Sequence, residues 1–230
     1  MPLERAQDLM CEAWGARGAR RVELARQALE ISPDCADAYV LLAEETAKST
    51  EAARNLYEKG VAAGERALGP EYFEENEGRF WNLLETRPYM RALEGLAIML
   101  WNLGDRKGAV ERFETMLRLN PADNQDARYH LAQLLLRQTD DARLAALFAR
   151  YPEDATAEWL YTRALHAFRT LGAGPVANAV LREALEWNPL VVLFLAGLKE
   201  LPARPSTSRL AAKRRRRPTP ATTSRSGCSP

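Results

Sequence analysis

The side chains of this 230-residue chain that could do chemistry are few and scattered. Its two histidines, His130 and His166, both fall within stretches of helical periodicity. Carboxylates at the i, i+4 spacing of a helix-borne metal site are no denser around them than chance provides. The glycines at 60, 64, 69, 95 and 104 interrupt helical patterns rather than follow a strand, so they make no phosphate-cradling loop. No nucleophile elbow is present, and no cysteine has a plausible base beside it. The enzymatic alternative is a site around Glu85, Arg87, Tyr89 and His130. The acidic run Glu71, Glu74, Glu75 and Glu77 reads as a solvated helix face. No metal, cofactor or catalytic residue is therefore expected.

Charge separates the chain into two parts. The last 28 residues, 203–230, carry eight Lys or Arg and no acid, including the run Lys213 to Arg217. Of the 32 basic and 31 acidic residues this leaves 24 against 31 in the body, about −7. An acidic body makes a poor phosphate surface, so any contact with nucleic acid or an anionic surface would run through the tail. Three widely spaced cysteines, Cys11, Cys35 and Cys228, suit neither a disulfide framework nor a zinc site and point to a reducing cytoplasm. The first 20 residues have scattered charges and no signal-like apolar core. The longest apolar run, Leu190 to Leu198, falls well short of the roughly 20 residues that span a bilayer.

The composition, 47% hydrophobic with 8% aromatic residues, is that of a helical protein, and a repeat organises it. Asn120-Pro121 recurs as Asn188-Pro189, 68 residues on, twice the 34-residue period of a tetratricopeptide repeat. Ser32-Pro33 and Tyr151-Pro152 are looser echoes. Ahead of Pro121 stand Leu93, Leu96, Ala97, Leu100, Gly104, Ala109, Phe113 and Met116. Ahead of Pro189, Tyr161, Ala164, Leu165, Phe168, Gly172, Ala177, Leu181 and Ala184 occupy the same places. Small residues let two antiparallel helices approach, large ones fill the space beside them, and proline ends the second helix.

The other segments fit the same frame less regularly. Leu3 to Trp14 pairs with Arg21 to Ile31, Ala36 to Lys48 with Glu51 to Leu68, and Asp123 to Gln138 with Asp140 to Arg150. The chain reads as an all-α superhelix of about five tetratricopeptide-type hairpins over residues 1–202, followed by a disordered basic tail, 203–230. Residues 69–88 break the period as an irregular helical insertion. There Phe80, Trp81 and Leu84 are expected to cap the core, with the alternative that Trp81, Arg87 and Tyr89 face a ligand.

The run from Phe80 to Leu136, with ETRPYMRA (Glu85 to Ala92) and NPADNQDARY (Asn120 to Tyr129), resembles tetratricopeptide-containing proteins of the suppression-of-tumorigenicity family. The segment Glu183 to Pro202 is similar to the stretch after their last repeat. The resemblance covers most of residues 35–202 and implies a helical scaffold with no catalytic residue. Members usually continue in another helical stretch where this chain has Pro, Ser, Thr and Arg.

In such repeats the first helix of each hairpin lines the binding groove. The groove positions are Arg91, Glu94, Ile98, Trp101 and Asn102 in one repeat, Arg128, Tyr129, Gln133 and Arg137 in the next, and Trp159, Thr162, His166 and Arg169 in the last. The arginines are expected to pair with carboxylates and Trp101 and Trp159 to anchor apolar groups, so the expected partner is a protein or peptide with acidic and apolar side chains. The Lys and Asn arrangement that clamps a chain's terminal carboxylate is missing, which argues against a chaperone tail as ligand.

Overall fold

A computed structural model describes residues 1–200, so the basic tail lies outside the described residues. Those residues form twelve helices: α1 (Pro2–Gly15), α2 (Ala19–Ile31), α3 (Ala36–Thr46), α4 (Thr50–Leu68), α5 (Pro70–Glu75), α6 (Arg87–Asn102), α7 (Arg106–Leu119), α8 (Ala127–Gln138), α9 (Asp141–Arg150), α10 (Ala157–Leu171), α11 (Pro175–Trp187) and α12 (Leu190–Leu195). Five antiparallel hairpins result, α1–α2, α3–α4, α6–α7, α8–α9 and α10–α11. Two compact units hold them, Met1–Arg150 with the first four and a second that begins at Tyr151.

The punctuation comes from local chemistry. Helices α2, α7, α9 and α11 all stop one residue before an extended or turn position that precedes Pro33, Pro121, Pro152 or Pro189, because the residue before proline is pushed from the α region. The Ser49 hydroxyl accepts the Ala52 N–H at 3.1 Å to start α4, and the Asp105 carboxylate accepts the Gly108 N–H at 2.9 Å to start α7. Gly104, at φ +86°, makes the turn between α6 and α7.

In the first unit the closest packing lies between α4 and α6, and glycine makes it possible. A Cβ on Gly64 would stand 2.8 Å from Tyr89 Cβ, one on Gly60 would stand 3.1 Å from Ala92 Cβ, and one on Gly95 would fall on the Tyr57 ring. Gly60, Gly64 and Gly95 therefore lie inside unbroken helices, where they admit a neighbour, and the reading of them as interruptions is corrected. Ala97, Ala109 and Phe113 are fully buried, as the repeat frame required. Leu165 departs from that frame: it matches Ala97 in register yet is 55% exposed. Within the second unit α10 packs on α11.

Helix boundaries also move. α3 ends at Thr46 rather than Lys48, with the Thr46 hydroxyl bonded back to the Leu42 carbonyl at 2.6 Å. α8 starts at Ala127 rather than Asp123, because Asp123 (φ +52°) and Asp126 (φ +62°) are left-handed. The insertion contains α5 and two single 3-10 turns, Phe80–Asn82 and Leu84–Thr86. Phe80 is buried among Tyr72, Phe73 and Tyr89, Trp81 is half-buried, and Leu84 is 50% exposed, so the capping falls to Phe80.

Candidate partner-binding groove

Helices α1, α3, α6 and α8 are the first helices of the first unit's hairpins, and α6 lies against α3. Arg91, on α6, reaches across to α3: its Nε and Nη2 donate to Asp37 Oδ1 and Oδ2 at 2.8 and 2.7 Å. Asp37 is completely buried, and Gln7 on α1 donates to the same Oδ2 at 2.8 Å. Asp37 therefore ties three first helices together, accepting from Gln7 on α1 and from Arg91 on α6. The Arg91 fork is matched to a carboxylate inside the protein, a geometry that favours arginine.

Glu94 and Ile98 follow on α6, both half-buried. Glu94 accepts a hydrogen bond from Gln125 Nε2 at 2.8 Å, and the same nitrogen reaches the Met90 carbonyl at 3.3 Å. Further along, Trp101 stands edge-on to His130 of α8 at 5.8 Å between ring centroids, and His130 stacks on Phe113 at 5.3 Å. The Arg137 guanidinium lies over the Trp101 ring at 5.9 Å, within the range of a cation–π contact. Asn102 is exposed beside it.

Arg128 stands in the first turn of α8 and is held by the turn before it. Its Nη1 donates to Asp123 Oδ2 at 2.8 Å, its Nη2 donates to the Tyr129 hydroxyl at 2.7 Å, and its guanidinium lies 4.3 Å from the Tyr129 ring centre. Asp123 also accepts the backbone N–H groups of Ala127 and Arg128, at 2.7 and 3.0 Å, so it caps α8. Burial raises the Asp123 carboxyl above its ordinary value despite these donors. Gln133 is half-buried on the same helix.

The second unit carries the remaining four candidates. Trp159 is 1% exposed, set edge-on against Tyr151 at 6.1 Å, so the expectation of an apolar anchor there is corrected: its ring is buried rather than open to a ligand. The Thr162 hydroxyl bonds back to the Glu158 carbonyl at 2.7 Å, His166 is half-buried and Arg169 is exposed.

The residues of the enzymatic alternative serve separate clusters. Glu85 accepts from the Tyr72 hydroxyl at 2.8 Å, and Arg87 lies over Trp81 at 5.3 Å. Tyr89 is buried beside Phe73, at 5.0 Å between rings, and burial lifts its hydroxyl to about 12. His130 sits in the aromatic group of α6 to α8. With Tyr89 turned into the core, the alternative in which it faces a ligand beside Trp81 and Arg87 is corrected as well.

Sequence reasoning missed Asp37, Gln7, Asp123 and Gln125, the internal partners that occupy the candidate groove side chains. One signal was available for Asp37: counted from Pro33, it stands at the place that Arg91 holds in the frame ending at Pro121. The opposite charges at equivalent places on successive first helices pointed to a pair.

The model of a family described as ST7 protein matches residues 2–173. Similar curated proteins include "Suppressor of tumorigenicity 7 protein-like" of Rattus norvegicus, 29% identical over 86% of this chain and 40% of that protein. The protein of the same description from Homo sapiens is 27% identical over 86% of this chain and 39% of its own length. "Protein ST7 homolog" of Drosophila melanogaster is 26% identical over 84% and 41%. The chain thus spans about two fifths of the length of the curated relatives it matches. Among solved structures it is similar to YrrB, described as a TPR protein with an unusual peptide-binding site, with a TM-score of 0.55 and 20% identity over 79% of this chain and 83% of that one. That likeness establishes the tetratricopeptide fold. Among the described residues no helix is long and apolar enough to cross a membrane.

Proposed function

This chain belongs to the ST7 protein family, and on that premise we propose that it is a non-catalytic scaffold that holds a peptide or partner helix along its first-helix groove. The observation that carries this reading is the arrangement on α6 and α8. There Glu94, Ile98, Trp101, Asn102, Gln133 and Arg137 present half-buried or exposed polar and apolar side chains from two neighbouring first helices. Such a mixed surface, with a large aromatic at its centre and polar groups around it, is the composition that binding hot spots favour. Stacked hairpins generate it without any moving part. Cytoplasmic placement follows as part of the same proposal.

The test is a comparison between the chain and its Trp101→Ala and Gln133→Ala variants in affinity capture followed by mass spectrometry. Proteins retained by the unaltered chain should be lost from both variants while far-UV circular dichroism stays the same. Equal retention by all three would refute the groove as the working surface. Arg128 is left unaltered in this test, since removing it would disturb the Asp123 cap.

A further inference from the structure

The groove's charge differs from what its residue types suggest, and the difference defines the ligand. Four arginines stand at groove positions, yet in the first unit two of them are committed internally. Arg91 is consumed by Asp37 and Arg128 by Asp123. Arg137 differs: it is exposed, its guanidinium lies over Trp101, and among the described residues no carboxylate is within ion-pair distance of it. An arginine laid on an aromatic face keeps its edge N–H groups available, and part of its side-chain ordering has already been spent. Ile98, one helical turn before Trp101, adds an apolar wall, and exposed Asn102 adds an amide able to bond a peptide backbone.

We infer that Ile98, Trp101 and Arg137 form a subsite for an extended segment of another protein that carries a carboxylate two residues from an aliphatic or aromatic side chain. The inference rests on the groove reading above and adds the chemistry of the occupant. The spacing follows from geometry. In an extended peptide, side chains two residues apart point the same way and are about 6.6 Å apart, close to the 5.9 Å between the Trp101 ring and the Arg137 guanidinium. One apolar side chain then meets Trp101 and Ile98 while the carboxylate meets the guanidinium. The rest of the groove asks for no further acid, because its other first-unit arginines are already neutralised. The chain's own tail, with eight Lys or Arg and no acid, has the wrong sign to occupy it.

The test is selection of a random seven-residue peptide display library on the purified full chain, followed by synthesis of the enriched peptides with a fluorescent label. Enriched sequences should place Asp or Glu two residues from Leu, Ile, Phe or Trp. Arg137→Glu should weaken them at least tenfold, and peptides with Gln in place of the acid should bind the unaltered chain and that variant alike. Arg137 is exposed, so the variant should keep its circular dichroism. Binding lost in Trp101→Ala but unchanged in Arg137→Glu would overturn this inference and leave the groove reading standing. Failure to enrich any peptide would count against both. If Arg137→Glu instead converted a dimer to a monomer in sedimentation, the occupant would be a second copy and the inference would fall.

Discussion

Replacing Arg91 with Ala exposes the logic of the first unit most directly. Asp37 is wholly buried, and two of its hydrogen bonds come from the Arg91 fork at 2.8 and 2.7 Å. Removing one member of a buried pair costs about 3–5 kcal/mol, because the other charge is left without compensation. Here the Gln7 amide still donates to Asp37 at 2.8 Å, and the 22% exposure of the Arg91 side chain lets water approach once it is gone. The lower end, about 3 kcal/mol, is therefore expected. Urea unfolding at neutral pH followed by circular dichroism measures it. The double variant Asp37→Ala, Arg91→Ala should be less destabilised than Arg91→Ala alone, since the uncompensated carboxylate is what costs. A loss below about 1 kcal/mol for Arg91→Ala, as at a surface ion pair, would refute the reasoning. So would a double variant no better than the single one.

Gly95→Ala, which in an open helix would gain about 1 kcal/mol, should instead lose about 1–3 kcal/mol, because its Cβ would fall on the Tyr57 ring; adding Tyr57→Ala should make that same Gly95→Ala change nearly harmless in thermal melts. Thr86→Val should cost about 1–3 kcal/mol, since the buried hydroxyl bonds the carbonyls of Phe80 and Leu83, whereas Thr86→Ser should lose less; equal losses would show that packing rather than the hydroxyl matters. Burial raises Cys35 from 9.0 to about 12, and Tyr57 and Tyr89 from 10.0 to about 12. Between those ordinary values and about 12 the unfolded chain releases protons that the native one retains, so this stability is present at neutral pH and is lost as pH rises. The urea midpoint should therefore fall above about pH 9, and a flat or rising profile would contradict it. Alkylation mapped by mass spectrometry should leave Cys35 unmodified in native protein and label it in urea, because its thiol is buried and protonated.

Hairpin number and register were legible because they depend on local chemistry. Prolines 33, 121, 152 and 189 terminate helices wherever they fall, and the alternation of small and large residues around Ala97, Ala109 and Phe113 admits one kind of helix packing. The groove positions were legible only as places on a helix. What Arg91 and Glu94 do there depends on partners far away in sequence: Asp37 is 54 residues from Arg91, and Gln125 is 31 residues from Glu94.

Periodicity along one helix carries no record of which charge lies opposite on the next, so Arg91 read as a free anchor, and none of the left-handed turn that brings Asp123 back onto Arg128. The insertion's aromatic residues were likewise visible as apolar, but only the packing of Phe73, Phe80 and Tyr89 decided which ring turned inward. By itself the sequence determined the helices, the ends that proline sets and the pairing, because those follow from backbone conformations that individual residues prefer or forbid. The tertiary structure decided which side chains are buried or paired and which are exposed. Burial and ion pairing are settled between helices, once α3, α6 and α8 have been brought together.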